Sequence, residues 1–212
     1  SSLYDQLEDV QYFEDELHAA VMAAEDAGTY VMVHVYVPEA IRRAIRAGVK
    51  SIEHGQLIDE PTMKLIAEKG VWLSMQPFIG EGNNHYTNPV QQAKHELVVQ
   101  GTDRAYQLAK KYGVKLAWGT DLLFSPANAR NQNLNIEKMT RWFSNFEILK
   151  MITHDNAELL ALSGRRNPYP GKLGVIEEGA LADLIVVDGN ALEDIKVLTD
   201  PGKNMLLIMK DG

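Results

Sequence analysis

The sequence predicts an α/β fold built on a parallel sheet, and three observations lead to it. A unit of β-rich run, loop, helix and closing glycine recurs, with runs beginning near residues 30, 49 and 71. That spacing is the rhythm of successive βα units. Polar residues stand where the runs end, at His34 and His54, as they do at the functional face of parallel α/β proteins. From Gly171 onward the pattern changes to short β segments joined by turns, which reads as a small β appendage.

Taken in order, Phe13, Leu17, Ala20, Val21 and Ala24 fall on one face of a first helix, and Gly28 is its natural stop. The run YVMVHVYV, residues 30–37, is a strand. Pro38 opens a helix with Ile41, Ala44 and Ile45 inward, ending near Gly48. VKSIEH is the next strand and ends at His54. Asp59 reads as the N-cap of a helix through Lys69, closed by Gly70. VWLSMQ is a third strand from Val71. A loop follows over residues 77–89, then a helix to about Tyr112 closed by Gly113. VKLAWGT is the fourth strand and leads to Asp121. SPANARNQNLN reads as a long polar loop, of the kind that more often serves function than mere connection. A single helix is expected over residues 145–162. VIEEG, ADLIVVDG and MLLIMKDG are read as β segments.

Composition narrows the function. Hydrophobic residues make up 45% and charged residues 24%, an ordinary globular mix. No apolar run is long enough to span a bilayer, and the opening SSLYDQLEDVQ does not read as a secretory signal. The net charge of -8 is dispersed, which argues against nucleic-acid or anionic-membrane binding and for a small-molecule or peptide substrate. With no cysteine, thiolate nucleophiles and thiolate metal sites are excluded. Any metal must be held by nitrogen and oxygen. Cysteine usage leaves the compartment open between cytoplasm and periplasm.

His34 ends VMVH, His54 ends SIEH and Asp121 ends AWGTD, so the three stand at the C-terminal ends of strands. Two imidazoles and a carboxylate form a ligand set suited to zinc or a similar divalent ion in a hydrolytic site. Each residue also has a plain alternative, since a strand-end histidine can be a satisfied structural group and Asp121 can cap a loop. Tyr36, two residues past His34, either bonds substrate or packs. His85, in the loop after the third strand, is a further candidate for the pocket. Arg130 either pairs with a substrate carboxylate or is solvated. His18 and His95 are read as solvent-facing helix residues, and His154 as a helix or loop residue.

HVYVPEAIRRAIRAGVKSIEHG, GVKLAWGTD, NAELLAL and GKLGVIEEGALADLIVVDGNALEDI together resemble the C-terminal half of the amidohydrolase superfamily. The branch they resemble is the imidazolonepropionase-like and Xaa-Pro dipeptidase-like metal hydrolases. The EHG, GTD and ADLIVVDG blocks in that order are specific for the superfamily, less so for substrate. The resemblance implies the second half of a (β/α)8 barrel over residues 1–165. Residues 166–212 would be strands of a composite β-sandwich. It implies a two-metal centre, usually zinc, with His34 and His54 on the second metal. Asp121 would bind the first metal and shuttle the proton during cleavage of an amide or peptide bond, in a dipeptide or an N-acyl amino acid. A cyclic-amide hydrolase or deaminase of the same superfamily would keep the site and change the substrate.

The family's His-x-His pair and bridging lysine are absent from this sequence. The expected partner is therefore the missing N-terminal half of the barrel. A homo-oligomer that covers the open sheet edges is the other expectation. With three of the usual six ligands, the chain by itself is expected to be inactive.

Overall fold

A computed structural model describes residues 3–80, 86–122 and 126–212. The chain divides into two compact units, Ser1–Ala117 with Ser163–Arg166, and Trp118–Leu162 with Asn167–Gly212.

The first unit carries α1 (Glu14–Asp26), β1 (Met32–Val35), α2 (Pro38–Ala47), β2 (Ser51–His54), α3 (Glu60–Lys69), β3 (Trp72–Met75) and α4 (Pro89–Tyr112), and leads into β4 (Leu116–Trp118). The four strands form one sheet in the order β1-β2-β3-β4. β1 runs parallel to β2, and β2 to β3. Leu73 N–H donates to the Lys115 carbonyl at 2.9 Å and ties β3 to the chain entering β4. This is the βα alternation read from the sequence, with strands shorter than the β-rich runs suggested.

The helices start and stop for local reasons. Asp59 accepts the Thr62 N–H at 2.9 Å and caps α3, while the Arg42 guanidinium lies 3.3 Å from the same carboxylate. Asn88 caps α4 through the Val90 and Gln91 amides. Gly48 ends α2 at φ 99°, a conformation that costs residues with a Cβ. α1 departs from its predicted face. Only Val21 of this helix is buried, against Gly48, and Phe13 is exposed. Phe13 is the N-cap, so its side chain leaves before the helical face begins.

Ile41 of α2, Ile52 of β2, Met63 and Ile66 of α3, Leu73 of β3 and Tyr106 of α4 are fully buried and form the core between sheet and helices. α4 is pinned at two points. The Tyr106 hydroxyl donates to the Met75 carbonyl at 3.2 Å, and burial pushes its pKa up. Gly101 lets the helix approach the Gln56 carbonyl, because a Cβ there would stand 2.3 Å from that oxygen. α3 and α4 are clasped on the outside by Glu60, which accepts from Lys111 and Tyr112. Those bonds hold its carboxyl down at about 2.

The second unit carries α5 (Pro126–Arg130), inside the stretch predicted as a loop, and α6 (Leu134–Lys138), which starts in the last two residues of that stretch. Buried Ile136, with Met139 just beyond α6, supplies the apolar side that stabilises this polar segment as helix. The expected helix over 145–162 is α7 (Asn145–Lys150), a π-helical turn at Met151–Asp155, and α8 (Asn156–Ala161). Gly174 packs directly on this turn, where a Cβ would meet the Thr153 carbonyl at 2.6 Å. β5 (Leu184–Val187) and, after the short α9 (Pro201–Asn204), β6 (Met205–Met209) form an antiparallel pair. VIEEG is not a strand. Ile176 is 95% exposed, and the Ala180 amide turns back to the Glu177 carbonyl at 3.1 Å.

Gly101→Ala tests the seating of α4. In an unconstrained helix the change stabilises by about 0.5–1 kcal/mol. Here the added methyl meets backbone, so urea unfolding should show a loss of about 1–3 kcal/mol. A gain in stability would show that α4 does not press on Gln56.

Candidate metal centre

His34 and His54 come together by an unexpected route. In the β1–β2 register His34 pairs with Glu53, and Val35 with His54. Paired residues of parallel strands project to the same face, and successive residues alternate. A regular pleat would therefore put His54 on the Val35 face, away from His34. His54 instead has φ 81°, which breaks the alternation and swings its imidazole round. The result is His34 Nδ1 at 2.9 Å from His54 Nε2. Gly55 continues the left-handed turn at φ 74°, and its N–H donates to the Val35 carbonyl at 2.9 Å.

The His54 ring is buried, while His34 is exposed. Tyr36 stacks on His54, with ring centroids 4.6 Å apart and planes inclined by 14°. On the far side of the ring, Gln76 Oε1 lies 2.7 Å from His54 Nδ1, and Gln56 Nε2 approaches the same oxygen at 3.4 Å. Nearby, Ser51 donates to Glu53 at 2.7 Å. Burial raises the Tyr30 hydroxyl pKa, and the Glu53 carboxylate adds to the shift. A cavity of about 460 Å³ opens along β1, lined by Val10, Tyr12, Leu17, His34 and Tyr36 among others.

The pair suits a divalent ion. Two imidazole nitrogens on one tetrahedral zinc, at about 2.0–2.1 Å each, stand about 3.3 Å apart. The observed 2.9 Å would have to open by only about 0.4 Å on that geometry. Both atoms present ring nitrogens, the donor type that zinc shares with oxygen ligands in cysteine-free sites.

Asp121 lies in the second unit, three residues beyond β4, exposed and at φ 52°. Among the described residues only His54, Asp121 and Asp211 are non-glycine positions with positive φ. Two of the three are thus predicted ligands, and such conformations gather at functional sites because they aim side chains that a regular strand cannot. The chain before Asp121 is held by Asn156. Its Oδ1 accepts the Trp118 N–H at 2.9 Å and its Nδ2 donates to the Trp118 carbonyl at 3.0 Å. Arg130 is the exposed last residue of α5 in the same unit. His85 lies outside the described residues.

The other histidines divide. His18 is exposed, whereas His95 is half-buried between Phe78 and Tyr86, at 6.1 and 5.5 Å between ring centroids. His154, Asp155 and Glu158 form a compact grouping on the π-helical turn and α8. Lys150 already pairs with Asp155 there, and His154 Nδ1 lies 2.9 Å from the same oxygen.

Sequence reasoning assigned no role to Gln76 or Asn156. A signal for Gln76 existed. VWLSMQ ends on a polar residue at the place in its repeat where VMVH and SIEH end on histidine. Asn156 heads the block NAELLAL, but that block does not reveal its partner, which is the backbone of a residue 38 positions away.

The chain belongs to the amidohydrolase family, whose model matches residues 5–212. It is 32% identical over 206 residues to ochratoxinase from Aspergillus niger, covering 95% of this chain and 41% of that protein. Among solved structures, it resembles a prolidase complexed with N-methylphosphonate-L-proline, with TM-score 0.86 and 36% identity over 98% of this chain and 50% of that one. A Xaa-Pro dipeptidase with bound methionine matches with TM-score 0.78 and 32% identity, over 95% and 48% of the two chains. The chain thus spans about half the length of the relatives it matches.

Removing the Trp118 clamp should loosen the approach to Asp121. Asn156→Ala is expected to lower stability by about 1–3 kcal/mol in thermal unfolding. Asn156→Asp keeps the acceptor but sets a carboxylate oxygen against the Trp118 carbonyl, so it should also lower stability. Equal melting of both variants and the parent would contradict the clamp.

Proposed function

We propose that this chain forms part of a metal-dependent hydrolase of amide bonds, with His34 and His54 holding one divalent ion, most simply zinc, and Asp121 acting on the proton. The observation that carries this reading is the approach of His34 Nδ1 to His54 Nε2 at 2.9 Å, made by the left-handed turn at His54. When bound, a divalent ion supplies Lewis acidity toward water and the scissile carbonyl. By the family resemblance Asp121 would be a ligand of the first metal, not of the ion on the histidines, and the general base. It takes the proton of the attacking water and passes it to the leaving amine. His34 and His54 fix the ion beside β1, and Tyr36 braces the His54 ring.

The substrate class proposed is a Xaa-Pro dipeptide or an N-acyl amino acid. Similarity to a prolidase holding N-methylphosphonate-L-proline, to a Xaa-Pro dipeptidase and to ochratoxinase supports it. In that reading Arg130 pairs with the substrate carboxylate, Tyr36 borders the substrate, and His85 faces it. Residues 1–165 form half of a (β/α)8 barrel, and residues 166–212 contribute strands to a composite β-sandwich. The exposure of Met32 on β1, and of Ile185, Val186, Leu206 and Ile208 on the β5–β6 pair, supports completion by further chain. Three of the family's six ligands do not complete a two-metal centre, so the 212 residues alone bind metal without turning over.

The test combines binding and activity. The chain should take up Zn²⁺ in calorimetry, and His34→Ala or His54→Ala should weaken uptake at least about tenfold. The full-length product of its gene should hydrolyse Xaa-Pro dipeptides, stop on chelation and recover with Zn²⁺. Asp121→Asn should lower kcat by about 10²–10⁴ with the fold intact. Hydrolysis that persists in chelator, or in the His54 variant, would refute the proposal.

A further inference from the structure

We infer that Gln76 is a positioning residue for the histidine pair: its side-chain carbonyl holds His54 in the Nδ1–H tautomer, leaving Nε2 as the lone-pair donor that faces His34. The inference rests on the proposed sharing of one divalent ion by His34 and His54.

Gln76 Oε1 lies 2.7 Å from His54 Nδ1 and accepts from Gln56 Nε2 at 3.4 Å. Gln56, Gln76 and His54 are 1%, 5% and 3% exposed, so the partners of these atoms are decided within the protein. A neutral imidazole carries its proton on one ring nitrogen and offers a lone pair on the other. An accepting carbonyl at Nδ1 therefore sets the proton there and frees Nε2. His34 Nδ1, 2.9 Å from Nε2, then donates to it in the ion-free protein; with an ion held there, that proton would sit on His34 Nε2 or be released to solvent.

Gln76 is itself held in place. The Tyr106 hydroxyl donates to the preceding carbonyl, that of Met75, at 3.2 Å. Gly101 presses α4 onto the backbone of Gln56. Tyr36, stacked on His54 at 4.6 Å, restrains ring rotation, so the proton position rather than the ring pose decides which nitrogen can ligate. The arrangement is the one by which a partner of the remote ring nitrogen orients a ligating histidine. The opposite polarity would require both amides reversed, with Gln76 donating to Nδ1 and the otherwise unpartnered Gln56 Oε1 accepting from Gln76. Nε2 would then carry a proton aimed at His34.

Long-range ¹H–¹⁵N correlation on the ion-free chain, labelled at histidine, reads the tautomer directly. His54→Ala assigns the signals. The expected result is protonated Nδ1 and unprotonated Nε2 at His54. Gln76→Leu should mix the tautomers and weaken Zn²⁺ binding by about 10–100-fold, whereas Gln76→Glu, which keeps an acceptor, should retain both. A protonated Nε2 in the parent chain would overturn the inference. So would a folded Gln76→Leu with the parent's tautomer and affinity, since a merely structural role lowers only the melting temperature. If Gln76→Leu does not fold, the parent's tautomer and the Gln76→Glu affinity decide. Absence of Zn²⁺ binding by the parent would sink the metal reading itself. Binding that is present but indifferent to Gln76 sinks only this inference.

Discussion

At His54 the backbone leaves the extended region for φ 81°, and the candidate centre depends on that single turn. Without it the strand pleat would send the imidazole to the Val35 side of the sheet. A non-glycine residue in this conformation costs on the order of 1–3 kcal/mol. The surroundings offset that cost with a 2.7 Å contact to Gln76, a stacked Tyr36 and the Gly55 N–H bond to Val35. The same turn carries the chain down to Gln56, where α4 closes over it through Gly101. Sheet, helix and site are therefore coupled at one residue.

Asp121 repeats the device in the second unit. It follows β4 at φ 52°, past a strand end fixed on both backbone groups by Asn156. In both places a strand ends rigidly, and one left-handed residue then aims a polar side chain. Rigid strand ends set the positions, and short departures from regular backbone set the directions. That division suits chemistry whose groups must be placed with little freedom.

Much of this was legible in the residues. The recurrence of strand, helix and glycine located β1 to β4 because apolar periodicity and stop signals are local. Strand-end polarity singled out His34, His54 and Asp121. The one-residue offset of the β1–β2 register was not legible, because it is set by packing between strands. Strand-end position therefore pointed both histidines to one functional face for an incomplete reason. The helices α5 and α6 were missed because polar Asn and Gln conceal the few buried contacts, chiefly Ile136, that stabilise them. The π-helical turn before Asn156 was missed for a related reason, since Gly174 packs on it from far along the chain.

On the proposed function, the imidazoles of His34 and His54 ligate one ion together. X-ray absorption of the Zn²⁺-loaded chain tests it most directly. The expected result is an all-nitrogen-and-oxygen shell with imidazole scattering from two rings at about 2.0–2.1 Å, falling to one ring in His54→Ala. A shell without imidazole scattering, or one unchanged by that substitution, would contradict it.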